Sequence, residues 1–241
     1  MKNLIYLSFV LLTLFQPCMA QEQLDANEIL KNLDKNFFSL DMEFNMEMKI
    51  LKKNKVRRSY KMKVFKKEKK LRMDILQPSV ERDRRVLNDG DNLWMYLPRS
   101  SKLIKIPYKQ AFLGGDASNR DILRISLVDD YETLGAIEES EDEIILRLKA
   151  KDLKTAYNKV NFYLDKKTKI PTKQEMLSLS GKVIKTIEYE DIVAFGGSYL
   201  ATKLTIIDQL KSNSKTIFKY SDFSIDSPKT DIFFTAASLS K

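Results

Sequence analysis

The chain has 241 residues, 43% of them apolar, and a formal charge of +9 at neutral pH. It contains no histidine and a single cysteine, which excludes Ser-His-Asp triads, Cys-His pairs and zinc sites built from these two residue types. This length and apolar content are sufficient for one large β-rich domain with a substantial core.

The N-terminus has the pattern of a secretory signal peptide. Lys2 gives a basic start, Leu4 to Phe15 is an apolar run of 12 residues, and Ala20 supplies a small residue before the cleavage site. Because a membrane-spanning helix needs about 20 apolar residues, we expect residues 1–20 to be removed and residues 21–241 to form a single exported domain. Cys18 lacks the small upstream residues of a lipid-attachment site, so no lipid tether is expected there.

The first half of the domain combines one helix with a run of strands. Asp25 and Glu28 have the spacing of a capping box, and apolar residues then recur at helical spacing from Ile29 to Phe38. From Met42 to Ile50 the apolar period changes to two, which predicts a long strand with one apolar face. Shorter strands follow after short connections, which favours an antiparallel meander: Tyr60 to Val64, Leu71 to Ile75, Arg84 to Asn88, Leu93 to Leu97 and Leu103 to Tyr108.

A tight turn is predicted at Asp89 to Asn92, where small and turn-favouring residues cluster. The strand after it, Leu93 to Leu97, contains the only tryptophan, Trp94. Both faces of this strand are apolar, so its pattern does not indicate which face lines the interior.

Paired glycines stand directly before a second capping box, Ser118 to Asp121. A helix is predicted after it, with an apolar side that includes Ile122, Leu123, Ile125 and Leu127. Because glycine leaves the backbone dihedrals unrestricted, Gly114, Gly115 and Asp116 are interpreted as the hinge of a lid. A tight entry from loop to helix is the alternative.

The second half returns to strands, with two real helices in the whole domain. So many strands are too many for a flat sheet. The predicted fold is therefore mainly β (α+β), a curved antiparallel sheet that forms an incomplete β-barrel of about 11 strands with covering α-helices. The strands predicted in this half are Tyr131 to Glu138, Glu143 to Lys149, Val160 to Leu164, Lys173 to Ser178, Val183 to Glu190, Ala201 to Asp208 and Thr216 to Phe223.

Two compositional features suggest ligands or partners. Six of the seven methionines of the mature chain lie between Met42 and Met95; methionine adapts to varied apolar ligands, so this predicts an accommodating cavity, with an ordinary core as the alternative. The stretch from Lys52 to Lys70 has 11 basic residues and one acid. It forms either a solvated outer face or a contact with an anionic membrane or partner through Lys61, Lys63, Lys66 and Lys67.

Three segments resemble the outer-membrane lipoprotein-sorting proteins, the LolA-like periplasmic carriers. They are Ile75-Leu76-Gln77-Pro78, the stretch from Val86 to Pro98, and Phe112-Leu113-Gly114-Gly115-Asp116. The order and spacing of these segments agree with the family, and the layout extends over most of the mature chain.

The resemblance implies a periplasmic, monomeric and non-enzymatic carrier that shields acyl chains of a lipoprotein or lipid on the way to the outer membrane. The expected partners are an inner-membrane transporter and an outer-membrane acceptor, with transient membrane contact. No cofactor or metal is expected, and no nucleic acid, because an exported protein rarely meets it. The cavity is expected to be lined by Phe44, Met46, Met48, Met62, Met73, Trp94, Met95 and Phe112.

Two other functions are compatible with the sequence. One is an adaptor or sensor that docks on a lipid-exporting transporter through the basic strand. The other is a hydrolase that uses carboxylates such as Asp116 and Asp121. Acid-base chemistry needs a tuned pair in a pocket, whereas these two residues are also explained as loop and cap residues.

Overall fold

The structure, a computed structural model, describes residues 25–241 except 39, 124–125, 136, 153–154 and 226–228. The expected signal peptide, with Cys18, lies outside the described residues. These residues contain three α-helices: α1 (Ala26–Phe38), α2 (Asn119–Leu123) and α3 (Leu127–Asp130). At the start of α1, the Asp25 carboxylate accepts a hydrogen bond from the Asn27 amide at 2.8 Å, as the capping pattern predicts.

The described residues also form fourteen strands. The first six are β1 (Met42–Lys52), β2 (Lys55–Lys67), β3 (Lys70–Gln77), β4 (Arg85–Asn88), β5 (Leu93–Leu97) and β6 (Lys102–Lys105). The remaining eight are β7 (Tyr131–Thr133), β8 (Glu138–Glu139), β9 (Glu143–Ala150), β10 (Lys159–Asp165), β11 (Pro171–Leu177), β12 (Val183–Phe195), β13 (Ser198–Asp208) and β14 (Ser214–Ser224).

All of these strands belong to one antiparallel sheet with the order β6-β5-β4-β3-β2-β1-β14-β13-β12-β11-β10-β9-β7, and β8 pairs with β9. Within the described residues no pairing joins β6 to β7, so the sheet remains open. The predicted mainly β fold is confirmed. The strand count is higher than the predicted 11 or so, partly because the stretch Tyr131 to Glu138, expected as one strand, is divided into the short strands β7 and β8.

The apolar alternation places one face of the sheet in the core. On β1, Met42, Met46, Met48 and Ile50 are buried, and β2 continues this face with Met62 opposite Met46. We call this the inner face. It is covered by α1 and α2, whose Leu33, Ile122 and Leu123 belong to the same buried cluster.

Among the described residues, the C-terminal segment covers the outer face over β2 to β5. The C-terminal residues form two 3₁₀ turns, Asp231–Phe234 and Ala236–Ser240, in which Phe234 and Leu239 are buried against Leu87 of β4. The Arg72 guanidinium lies 4.0 Å from the Phe233 ring and forms an ion pair with Asp74 at 2.8 Å. Both faces of β4 and β5 are therefore packed, which explains why the sequence from Leu93 to Leu97 is apolar on both sides.

The helix predicted after the second capping box is replaced by two short helices. The box itself is present, because the Ser118 amide donates to Asp121 at 2.7 Å and the Asp121 amide donates to the Ser118 hydroxyl at 3.3 Å. Ser126 then caps α3 by accepting from the Asp129 amide at 3.3 Å. The spacing of the apolar residues did not indicate that a new helix begins after Ser126. Ile125 lies outside the described residues.

The meander places successive turns at alternate ends of the sheet. We call one end the lower rim; it contains the turns at residues 68–69, 89–92, 166–170 and 196–197. The opposite end, the upper rim, contains the turns at residues 53–54, 78–84, 98–101, 178–182 and 209–213. Two upper turns are joined directly, since the Lys53 amide donates to the Asn213 carbonyl at 2.8 Å.

The C-terminal turns should contribute strongly to stability. Phe234 is 2% exposed and Ile232, two residues before it, is 74% exposed. Phe234→Ala should lower the free energy of unfolding by about 3–5 kcal/mol, because it removes a buried aromatic ring. Ile232→Ala should change it by less than about 0.5 kcal/mol. Denaturant unfolding of both variants tests this, and equal small losses would show that the outer layer contributes little.

Candidate functional site

An apolar cavity opens at the lower rim, between the inner face of the sheet and the helices. Its walls come from both halves of the sheet, which meet where β1 pairs with β14. Leu33 of α1 and Ile122 and Leu123 of α2 cover it. The strand residues that line it are Met42, Phe44 and Met46 of β1, Val64 and Lys66 of β2, Lys70, Leu71 and Met73 of β3, Pro171 of β11, Tyr189 of β12, Tyr199, Leu200 and Ala201 of β13, and Tyr220 and Phe223 of β14.

Aromatic rings form one wall of the cavity. The Phe44 ring packs edge-on against Tyr220 with centroids 5.7 Å apart, and it lies 5.6 Å from the Phe223 ring. Phe223 also contacts Phe195, at 5.4 Å, in the β12–β13 hairpin. This chain of contacts links the long hairpin to β1 across the cavity mouth.

Gly196 at the tip of that hairpin approaches the chain that enters β1. A Cβ atom there would lie 2.5 Å from Leu40 Cδ1 and 3.2 Å from Ile225 Cδ1, and the residue has a φ of +60°. Glycine is required on both grounds. The hairpin tip is therefore packed against the cavity mouth and does not project into solvent.

Lysines lie on one side of the mouth, at the β2–β3 turn. Lys66, only 9% exposed, lies on the inner face and donates to the Leu40 carbonyl at 2.5 Å. Lys69 forms an exposed ion pair with Asp129 of α3 at 2.9 Å, and this hydrogen bond lowers the pKa of Asp129 below its ordinary value. The Lys69–Asp129 ion pair connects the β2–β3 turn to α3, which belongs to the helical cover.

The free space inside is small. The cavity has a volume of about 130 Å³, close to the roughly 150 Å³ of a cavity that holds one benzene molecule and below the roughly 300 Å³ of ordinary ligand pockets. The described conformation is therefore closed with respect to any long apolar ligand.

Three of the eight residues predicted to line the cavity do so: Phe44, Met46 and Met73. Met48 and Met62 are fully buried on the inner face, and Phe112 is fully buried at the start of the glycine loop, residues 112–116; all three belong to the main core cluster. Met95 lines a separate small pocket with Arg58 and Gly114 near the upper rim.

Trp94 requires a correction, because it lies on the outer face. It pairs with Leu87 across β4 and β5 and packs in the cluster of the C-terminal turns, and its indole N–H donates to Asp89 at 2.7 Å. Because side chains alternate along the strand, Met95 is on the inner face and Trp94 is on the outer face. Both faces of β5 are apolar, so the sequence did not indicate which residue points inward.

The predicted hinge lies over the junction of β1 and β14. A Cβ atom on Gly115 would meet Met48 at 2.7 Å and the Thr216 hydroxyl at 3.0 Å. The Asp116 amide donates to Thr216 at 2.9 Å, and its buried carboxylate accepts from Ser214 at 2.7 Å. These contacts fit an anchor of the loop on the sheet, and a pivot at Gly114 and Gly115 stays a prediction.

The predicted lysine contact surface is divided between two faces. Lys66 is on the inner face with the cavity, contrary to its grouping with Lys61, Lys63 and Lys67, because even-numbered residues of β2 point inward in this region. On the outer face, Lys63 pairs with Glu43 at 3.2 Å and Lys67 pairs with Asp231 at 3.3 Å. Acids of the same chain therefore neutralise two of the four lysines, which does not favour this strand as a docking site.

Asp121 is the centre of a buried polar cluster. Its carboxylate accepts from Lys185 of β12 at 2.6 Å and from the Tyr157 hydroxyl at 2.9 Å, in addition to its capping bond. The Asp121 side chain is 2% exposed and that of Lys185 is 11% exposed. Burial raises the pKa of Tyr157 well above its ordinary value, with the Asp121 charge adding to the effect. This arrangement holds α2 on the sheet and gives Asp121 a structural role.

Much of the cavity wall was missed by sequence reasoning. Tyr189, Leu200, Ala201 and Tyr220 come from strands that are distant in sequence from β1. Each strand was predicted, but the contact between halves depends on the pairing of β1 with β14, which has no local signature.

Comparisons with known proteins fit this architecture. The family model that matches, described as "Uncharacterized protein", covers residues 67–241. A LolA superfamily protein from Nitrosomonas europaea has 28% sequence identity and a TM-score of 0.76, over 88% of this chain and 98% of that one. No curated protein matches the chain by sequence.

Two further solved structures share the fold. A DUF1329 family protein from Desulfovibrio piger has 20% identity and a TM-score of 0.77, over 89% of this chain and 97% of its own. A domain assigned to the outer membrane lipoprotein-sorting proteins, from Vibrio parahaemolyticus, has 20% identity and a TM-score of 0.75, over 90% of this chain and 100% of its own. Together with the Nitrosomonas protein they confirm the predicted likeness to the LolA-like fold.

Two ion pairs of the helical cover should differ sharply in energy. Asp121→Asn should lower the free energy of unfolding by about 3–5 kcal/mol, because it leaves the buried Lys185 charge without its anionic partner. Asp129→Asn, the same change in the exposed pair with Lys69, should cost at most about 1 kcal/mol. Guanidinium unfolding curves measure both, and similar small losses would contradict the anchoring role of Asp121.

Proposed function

This chain belongs to the family whose model matches residues 67–241 and has the LolA-like fold, and from that premise we propose that it is a non-enzymatic carrier of acyl chains. The cargo is a lipoprotein or lipid, carried through the periplasm towards the outer membrane. The observation that supports this most directly is the covered apolar cavity at the lower rim, with walls from both halves of the sheet.

The apolar walls supply the driving force. Each methylene removed from water contributes about 0.8 kcal/mol, so one acyl chain of ordinary length gains about 10 kcal/mol before the costs of binding are subtracted. The flexible methionine side chains of the wall adapt to the shape of an acyl chain. Release therefore needs an acceptor, a partner protein or a membrane, that takes the chain.

Cargo binding must be coupled to opening, because a volume of about 130 Å³ does not hold an acyl chain. The cover, formed by α1, α2 and α3, is held to the sheet by a buried ion pair between Asp121 and Lys185 and by an exposed one between Lys69 and Asp129, while the Arg120–Asp130 pair joins α2 to α3 within the cover. Exposed pairs contribute about 0–1 kcal/mol, so the cover should open on the Lys69 side while Asp121 keeps α2 attached.

A catalytic function has less support. The side chains of Asp116 and Asp121, the carboxylates considered for hydrolysis, are buried, and both accept hydrogen bonds from residues of the sheet.

Over the described part of the chain, no helix has the length and apolar content of a membrane span.

Filling the cavity should weaken uptake. Ala201 lines the cavity, and Ala194, in the same hairpin, is exposed. Ala201→Phe should reduce the affinity of the delipidated protein for a fluorescent fatty acid by about tenfold or more, because the ring occupies the limited space. Ala194→Phe should bind like the unmodified protein. Native mass spectrometry of the purified protein identifies the natural cargo.

Two results would refute the carrier function. One is delipidated protein that takes up neither a fatty acid nor an acylated lipoprotein. The other is an Ala201→Phe variant that folds normally and binds acyl probes as tightly as Ala194→Phe.

A further inference from the structure

The cations of the basic stretch are not distributed evenly over the structure. Between Lys52 and Arg58, at the β1–β2 turn of the upper rim, there are five basic residues and no acid. All five are exposed, and none forms an ion pair with a described residue. The lysines at the other end of β2, by contrast, pair with Glu43, Asp129 and Asp231.

These cations border a cleft. Lys52, Lys53, Arg57 and Arg58 line it together with Gly114. Guanidinium and ammonium groups facing one cleft are suited to phosphate, which guanidinium binds with two parallel hydrogen bonds. The neighbouring upper turns add Arg82, Arg99 and Lys182.

The same rim carries a row of exposed aliphatic side chains. One lies at each of four turns that are consecutive along the sheet: Val80 between β3 and β4 (55% exposed), Val56 at the start of β2 just after the β1–β2 turn (54%), Leu210 between β13 and β14 (62%) and Leu179 between β11 and β12 (74%). Each turn spans two strands, so neighbouring tips are about 10 Å apart.

Separate apolar tips among cations favour a lipid surface over a protein partner. A protein interface is built around a contiguous, well-packed apolar centre. A membrane interface accepts individual aliphatic side chains at headgroup depth while lysine and arginine contact the phosphates. Each basic residue near an anionic surface adds to this attraction.

We propose that the upper rim docks on a membrane that contains anionic phospholipids, with the cleft at Lys52 to Arg58 binding headgroup phosphates and the four aliphatic tips inserted at the interface. The cavity mouth is at the opposite rim, so the docked protein keeps its mouth accessible to a cargo donor or acceptor. The upper rim thus provides attachment without acyl transfer.

Sedimentation with lipid vesicles tests this proposal. The unmodified protein should bind vesicles of equal parts phosphatidylcholine and phosphatidylglycerol and should not bind pure phosphatidylcholine. Lys53→Glu/Lys55→Glu/Arg57→Glu should weaken binding by about tenfold or more. The control Lys31→Glu/Lys167→Glu/Lys219→Glu makes the same change in net charge at exposed sites off the upper rim and should leave most of the affinity.

A second pair of variants tests the tips. Leu179→Ser/Leu210→Ser should weaken vesicle binding several-fold, whereas Ile192→Ser/Ile232→Ser, exposed by 40% and 74% near the lower rim, should not. All variants should take up a soluble fatty acid normally, which separates this proposal from the carrier function.

The proposal is overturned if the unmodified protein does not bind anionic vesicles, or if either upper-rim variant binds them as tightly as its control does. Capture of an acidic protein by the unmodified chain, without vesicle binding, would assign the rim to a protein partner and would equally overturn it.

Discussion

The pairing of β1 with β14 is the constraint on which the cavity depends. It joins the two halves of the sheet, with Met46 opposite Tyr220 and Met48 opposite Phe218. The cavity walls lie on both sides of this junction, and the glycine loop is fastened above it through Gly115 and the hydrogen bonds of Asp116. Because a shift of one residue would turn every inner side chain outward, the register at this junction decides whether the cavity exists.

The fold was accessible from the sequence because its signals are local. Alternation from Met42 to Ile50 and the turn residues of the later hairpins define strands without knowledge of their partners. The capping pattern at Ser118 and Asp121 was also read correctly, since both of its hydrogen bonds form. What alternation cannot resolve is a strand with two apolar faces, and Trp94 was misplaced for that reason.

The candidate site was less accessible because it is assembled from distant segments. Lys66 was grouped with outward-facing lysines, although its parity with Val64 places it on the inner face. The role of Asp121 depends on Lys185 and Tyr157, which are 64 and 36 residues away. No spacing in the sequence indicates this cluster. Charge composition located the basic stretch, but only the ion pairs of the folded chain show which of its cations remain without an acid.

The two rims illustrate how one meander separates two tasks. Turns alternate between the two ends of an antiparallel sheet, so the first and last residues of a single strand lie at opposite rims. The β2 strand runs from the exposed cations at Arg57 and Arg58 to Lys66 at the cavity mouth. Charges in exposed turns cost little folding energy, whereas the cavity residues must be buried in a fixed register. The upper rim is therefore free to vary in charge without disturbing the apolar site at the lower rim.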